Sequence, residues 1–325
     1  MIINNTNYSV IDVYDLPITI PDSFVAKANK TCKGNGEAKL YMGPKKQMRS
    51  FFTGDALNAG FSVTCMLLKD DLLSYLETIH HEYSHPSIKY RGMGTHKNMN
   101  TLWNNRVDTV RNLTGNEIFF DIKDQQQISG ERGYVKTTGN PLKGGYGLIR
   151  EISLPFVSYI SVMKLQNDST GDMVFYWKLF TDFSQMALQQ YRATHYGKKS
   201  SRVISTTIRD EQTKYRQKLL SLFGHCPFSQ IDDATLLVAS HIKPWAVCNN
   251  VEKTDVDNGL MLSPLFDKLF DKGFITFEDN GDLKISDWLS SANQSRIDFS
   301  YQKGDLHLDA GRKAYLQYHR QYVFK

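Results

Sequence analysis

Between Ser240 and Gly273 the chain sets out a histidine, an asparagine and two aspartates whose types and order suit phosphodiester hydrolysis. Breaking such an ester needs a base to take a proton from water and a divalent cation to hold the phosphate and offset charge on the leaving oxygen. His241, in Ser240-His-Ile-Lys-Pro-Trp245, is the candidate base, because an unperturbed imidazole is largely neutral at physiological pH. Asn258 lies in the turn-type sequence Asp257-Asn-Gly259, where its amide can bond across the loop and fix the neighbouring backbone or the base. Asp267 and Asp271 stand one helical turn apart and so share a face, offering carboxylate oxygens of the kind that Mg²⁺ takes.

These groups need elements to aim them. Thr235-Leu-Leu-Val-Ala-Ser240 reads as a buried strand that delivers His241 at its end, and Ser263 to Asp271 as a short helix. Upstream, Ile208 to Leu220 reads as a helix with Thr206 or Thr207 as N-cap and Ile208, Tyr215, Leu219 and Leu222 on one face. Downstream, Phe274-Ile-Thr-Phe277, the turn Glu278-Asp-Asn-Gly281 and Leu283-Lys-Ile285 read as a hairpin.

The His after an apolar strand, the Asn-Gly closing the next loop and the carboxylate-bearing helix together resemble the HNH (ββα-metal) endonuclease family. The resemblance extends to the entry helix at Ile208 and to the final stretch Ala314 to Phe324, similar to the closing helix of such domains. It implies an HNH domain over residues 203–325, with double-stranded DNA as partner and Asn258 in an orienting role. There are two departures from the family pattern. Where many members have an acidic residue or His just before the base, as a metal ligand, this chain has Ser240; and Asp267 stands where a His is common. With Ser240, Asp267 and Asp271 as the candidate metal set, the expected ion is Mg²⁺ or Mn²⁺ rather than a zinc-like one.

The 325 residues are long for one core, and a net charge of +5 with pI near 8.8 is mild, so any nucleic-acid footprint is expected to be local. Lys198, Lys199, Arg202, Arg209 and Lys214 form such a basic stretch before the motif, and Lys243 lies within it. The four cysteines, Cys32, Cys65, Cys226 and Cys248, contain no Cys-x-x-Cys pair. That argues against a zinc ribbon or a disulfide framework and fits a reduced cytoplasm. With no signal-peptide pattern and no apolar run near membrane-span length, a soluble cytoplasmic protein is expected.

Residues 1–195 read as a mixed α/β domain, joined by the small and charged stretch His195 to Arg202. Leu67 to Tyr83 and Asn98 to Leu113 read as helices, Ile152 to Leu165 and Met173 to Phe180 as strands. Six glycines between Gly130 and Gly147 alternate with Arg132, Lys136 and Lys143, which suits either close approach to a DNA groove or paired hairpin turns. Arg91, His96, Lys97, Asn104, Asn105 and Arg106 form a second basic, polar stretch. His81-Glu-Tyr-Ser-His85 matches the zinc-peptidase pattern, but Pro86 disfavours helix where the second histidine needs it. Pro21-Asp22 with Glu37-Ala-Lys39 fits the permissive Pro-Asp…Glu-x-Lys nuclease pattern.

The expected architecture is α+β: a C-terminal HNH cutting domain behind an N-terminal domain that chooses the target. That arrangement resembles bacterial restriction endonucleases, reading either a base sequence or a modified base. A zinc peptidase centred on His81, Glu82 and His85, and an inactive HNH-fold DNA-binding module suggested by Ser240, are the competing readings. One cutting site per chain suggests a two-fold homodimer or two successive encounters, with the dimer favoured if the target is palindromic.

Overall fold

The structure, a computed structural model, describes residues 1–14, 16–25, 38–86, 99–126, 130–181 and 201–325, with the side chains of 201–211 and 246 left undescribed. It is α+β, and it divides into two compact units, Met1–Met186 and Ala187–Lys325.

The N-terminal unit is built on strands β1 (Ile2–Ile3), β2 (Thr6–Val13), β3 (Ile18–Thr19), β4 (Leu40–Pro44), β5 (Ser62–Leu68), β6 (Glu117–Asp124), β7 (Arg132–Thr137), β8 (Ser158–Asn167) and β9 (Met173–Thr181). They form one sheet in the order β1-β2-β8-β9-β5-β6-β7-β4, with β3 beside β8. Every pairing is antiparallel except β5 with β9. Helices α1 (Lys45–Thr53), α2 (Lys69–Thr78), α3 (His80–Ser84), α4 (Asn100–Arg111) and α5 (Gly144–Ile152) accompany it. Alternate residues of β4, β6 and β7, namely Leu40, Met42, Phe120, Ile122 and Val135, join Met48, Phe51 and Phe52 of α1 in the core.

Several boundaries differ from the sequence reading for local reasons. Leu67 and Leu68 end β5 instead of opening a helix, and the helix expected through Tyr83 breaks at Ile79 into α2 and α3. Ile152 ends α5, and β8 starts only at Ser158, because Pro155 disfavours helix before it and Phe156 takes a left-handed φ of 70°. In the glycine-rich stretch, a Cβ on Gly133 would meet Met48 Sδ at 2.9 Å, and one on Gly147 would meet the Leu142 carbonyl carbon at 2.5 Å. Those glycines admit packing within the unit. Of the expected linker His195 to Arg202, residues 195–200 lie outside the described residues, and Ser201 and Arg202 belong to the helix Ser201–Phe223.

The C-terminal unit runs α6 (Ser201–Phe223), β10 (Val238–His241), β11 (Gly259–Leu262), α7 (Pro264–Asp271), β12 (Ile275–Phe277), β13 (Leu283–Ile285), α8 (Ser291–Gln294) and α9 (Ala310–Tyr322). β10 pairs antiparallel with β11, which leads through Ser263 and Pro264 into α7. Proline at the first helical position has no amide hydrogen to orphan, so it starts α7 at little cost. The strand expected from Thr235 begins at Val238, since Asp233 accepts hydrogen bonds from the Thr235 amide and hydroxyl and winds 234–236 into a short turn. On α6 the buried stripe is Tyr215, Leu219 and Phe223, spaced by four, while Leu222, expected on that face, is exposed.

α9 is tied to the unit by His319, which is 1 % exposed and stacks on Phe270 with ring centroids 3.9 Å apart. Its Nδ1 lies 2.9 Å from Thr276 Oγ1, and its Nε2 donates to the Phe270 carbonyl at 3.0 Å. Burial pulls the imidazole down from 6.5 to about 3, against the opposing carbonyl contact. Between those values the unfolded chain binds a proton that the folded chain refuses, so stability falls as pH falls. The expected loss is about 1.4 kcal/mol for each pH unit below the unfolded value. Hydrogen-exchange protection of the α9 and β12 amides should drop accordingly as the pH is lowered from 6.5 towards the folded-state value of about 3, and a His319→Gln variant should flatten the slope.

Candidate catalytic site

His241 ends β10, with Gly259 as its cross-strand partner. A Cβ at Gly259 would meet the Tyr215 hydroxyl at 2.4 Å and Leu219 Cδ1 at 2.7 Å, so the glycine leaves room for α6 at this distance. That close approach lets α6 lay the Tyr215 ring on the His241 ring, centroids 4.4 Å apart and 18° from parallel. His241 Nε2 stands 3.1 Å from the Lys253 carbonyl oxygen. A carbonyl can only accept, so Nε2 carries the proton and Nδ1 keeps a lone pair. Burial lowers the imidazole pKa below the ordinary value and outweighs the Lys253 carbonyl, which raises it. At neutral pH the ring is therefore uncharged, with Nδ1 as its acceptor.

The carbonyl that fixes His241 belongs to a loop held by Asn258, a fully buried side chain. Asn258 Oδ1 accepts from the Lys243 amide at 2.8 Å, while Nδ2 donates to the Glu252 carbonyl at 3.0 Å and lies 3.2 Å from Cys248 Sγ. The loop also braces itself. Asn249 Oδ1 accepts from the Glu252 amide at 3.0 Å and Glu252 Oε2 accepts from the Asn249 amide at 2.8 Å, the reciprocal exchange of a capping box. From α9, the fully buried Arg312 donates to the carbonyls of Gly259 at 3.2 Å, Val256 at 3.1 Å and His307. Tyr215 donates its hydroxyl to the Asn258 carbonyl at 2.9 Å.

Ser240, one residue before His241 and 4 % exposed, donates its hydroxyl to Asp267 on α7. Burial raises the Asp267 carboxyl above its usual range, the Ser240 bond lowers it, and the charge of Asp271 raises it again. Strand and helix thus bring two of the expected ligands together. Asp271 is exposed, 3.9 Å from Lys268 Nζ and 3.6 Å from Lys272 Nζ. No group of three or more His, Cys, Asp or Glu that could hold a metal occurs among the described residues. A half-buried carboxylate disfavoured as an anion, with a hydroxyl beside it and a second carboxylate nearby, still fits a hard cation that keeps several waters.

The remaining expected residues fall in different places. Lys243 directs its ammonium to Glu252 Oε1 at 2.6 Å and over the Tyr318 ring at 5.1 Å, so the fold itself engages that charge. Lys214 is exposed and, with Tyr215, Lys218, Thr254 and Val256, lines a groove of about 600 Å³. Arg202 and Arg209 lie on α6 with side chains undescribed, and Lys198 and Lys199 lie outside the described residues. Arg132, Lys136 and Lys143 belong to the N-terminal unit. There, α3 ends at Ser84, before His85, and the His81 and His85 rings stack at 5.1 Å with Glu82 buried. Sequence reasoning missed Tyr215, Glu252 and Arg312 as site-building residues. Asn249-x-x-Glu252 carried a readable capping signal; Arg312 carried none.

Residues 226–278 match the model of the HNH endonuclease family, a stretch that contains His241, Asn258, Asp267 and Asp271 and leaves Tyr215 and Arg312 outside. No curated protein matches the chain. The chain thus carries an HNH-family domain towards its C-terminus, which supports a nuclease of the HNH type with DNA as substrate and a divalent metal. No helix among the described residues is long and apolar enough to cross a membrane.

Replacing Asn258 by Ala releases the Lys243 amide and the Glu252 carbonyl together, and with them the carbonyl that aims His241. An ångström of misplacement costs about a hundredfold in rate. Plasmid nicking by Asn258→Ala should fall on that order with little change in DNA affinity, and the variant should lose about 1–3 kcal/mol of stability in denaturant titration.

Proposed function

We propose that the chain is a restriction-type DNA endonuclease in which His241 is the general base and the N-terminal unit chooses the target. The observation that carries this reading is the 3.1 Å approach of His241 Nε2 to the Lys253 carbonyl, which calls for Nε2–H on that oxygen and leaves Nδ1 as acceptor, while burial favours the neutral ring. Nδ1 takes a proton from water as its oxygen attacks phosphorus. The bond from phosphorus to the leaving oxygen then breaks, and that oxygen is protonated from solvent. Tyr215 backs the ring, and Asn258 with the Asn249–Glu252 brace keeps the Lys253 carbonyl from drifting.

Asp267 and Ser240 would hold the metal, Mg²⁺ or Mn²⁺, with Asp271 adding negative charge from the next turn. When bound, such an ion supplies a grip on the scissile phosphate and offsets charge on the leaving oxygen. An anionic duplex reaches the site beside the groove carrying Lys214 and Lys218. The domain alone cuts with little sequence choice, so target choice is assigned to the N-terminal unit. One site per chain makes a double-strand break the work of two chains or two encounters.

His241→Ala should lower the rate by about 10²–10⁴-fold while DNA binding persists, because a base is removed and phosphate contacts are not. Substantial residual cleavage in a plasmid assay would reassign the base. Asp267→Ala should abolish Mg²⁺-dependent nicking, whereas Asp271→Ala should weaken it less; wild-type activity in Asp267→Ala removes that residue from the metal site.

A further inference from the structure

The outer face of the β6–β7–β4 end of the N-terminal sheet carries an arrangement that folding alone opposes. Along β7, Gly133 and Val135 point into the core, so Arg132, Tyr134 and Lys136 share the other face at intervals of about 6.8 Å. Lys136 stands directly opposite Lys123 of β6 in the register. Like charges directly across a ladder are destabilising. Among the described residues neither lysine, nor Arg132, is paired with a carboxylate, whereas Arg49 joins Asp124 and Lys178 joins Asp71.

The second component is aromatic. Tyr134 stands opposite Tyr41 of β4, with ring centroids 5.4 Å apart at 52°, and Lys39 holds its ammonium 5.2 Å above the Tyr134 ring. Tyr41 is 44 % exposed at the edge of the sheet. Asp121, also on this face, has its carboxylate engaged by the Thr64 hydroxyl at 2.9 Å. The face therefore presents the cations of Lys123, Arg132 and Lys136 together with two phenol hydroxyls.

We propose that this outer face of β6, β7 and β4 docks the sugar–phosphate backbone of duplex DNA. The inference deepens the nuclease reading and rests on it. Duplex DNA carries about one negative charge per 1.7 Å of axis, which is what a row of cations complements. Arg, Lys and Tyr are standard phosphate donors, and such contacts set register without reading bases. A phosphate between Lys123 and Lys136 would turn their repulsion into two attractions. Gly133, the glycine within β7, packs against Met48 on the core side, so on this face the side chains of β7, not close backbone approach, make the contact.

The test uses the full chain carrying His241→Ala to prevent cutting, with duplex binding followed by fluorescence anisotropy over a range of salt. Lys123→Gln with Lys136→Gln should bind at least about tenfold more weakly, and its log–log salt slope should shrink by about 1.8, or about 0.9 for each phosphate no longer neutralised. Its thermal midpoint without DNA should stay level or rise, since a repulsion has been removed. A control pair, Lys46→Gln with Arg111→Gln, alters two exposed cations on α1 and α4 and should bind like its parent. Unchanged binding in the Lys123/Lys136 pair, an equal weakening in the control pair, or a lowered midpoint with unchanged binding each overturns the docking face. So does tighter capture of polyglutamate than of duplex through the same lysines. If the chain with His241 intact neither binds nor nicks DNA, the nuclease reading falls and the docking face with it; nicking without any effect of the lysine pair removes the docking face alone.

Discussion

The amide of Asn258 is the constraint on which the catalytic end of the C-terminal unit depends. It is buried where no water can replace its partners, so each bond it makes to the 243–252 loop is expensive to break. The loop has little core of its own to hold it, and exposes Val251 at its tip. Its shape comes from polar contacts instead: the amide of Asn258 from one side, the Asn249–Glu252 exchange within, and the ion pair of Lys243 with Glu252. Arg312 extends the same logic by anchoring carbonyls on both sides of Asn258 from a helix distant in sequence.

Around that frame, electrostatics separates two kinds of group. His241 and Asp267 are both shifted by burial towards their neutral forms, the histidine downwards and the aspartate upwards. For His241 neutrality is the state the proposed base role needs. For Asp267 it is a cost that a cation would relieve, so the same dry environment that keeps the imidazole neutral would also favour metal. The Ser240 hydroxyl joins the two, since it sits on the strand beside one and bonds the other.

How much of this the sequence disclosed varies with the range of the interaction. His241, Asn258, Asp267 and Asp271 could be named as candidates because a strand end, a turn and one helical turn have fixed periods; in the structure Asp267 meets Ser240, the neighbour of His241, and Asn258 holds the loop whose Lys253 carbonyl meets His241. Leu222 misled because period alone does not say which of two adjacent apolar residues faces inwards; Phe223 fills the core and Leu222 does not. Tyr215 was legible as an apolar helix position but not as the ring behind the base, which needs the close approach allowed by Gly259. Arg312 was invisible, for its three carbonyl partners come from loops that only the folded chain assembles. In the N-terminal unit, strand β9 was readable, whereas the nine-strand order depends on long-range pairing that no local pattern encodes.

Cys248 gives the clamp a chemical handle. Its sulfur receives the Asn258 amide at 3.2 Å and donates to the Lys243 carbonyl at 3.3 Å, and burial holds its thiol above the ordinary pKa. Alkylating reagents attack the thiolate, and here both access and ionisation are withheld while the loop is closed. The rate at which this thiol is modified in the intact protein therefore reports how often the loop lets go, a kinetic view of the site's rigidity that requires neither substrate nor metal.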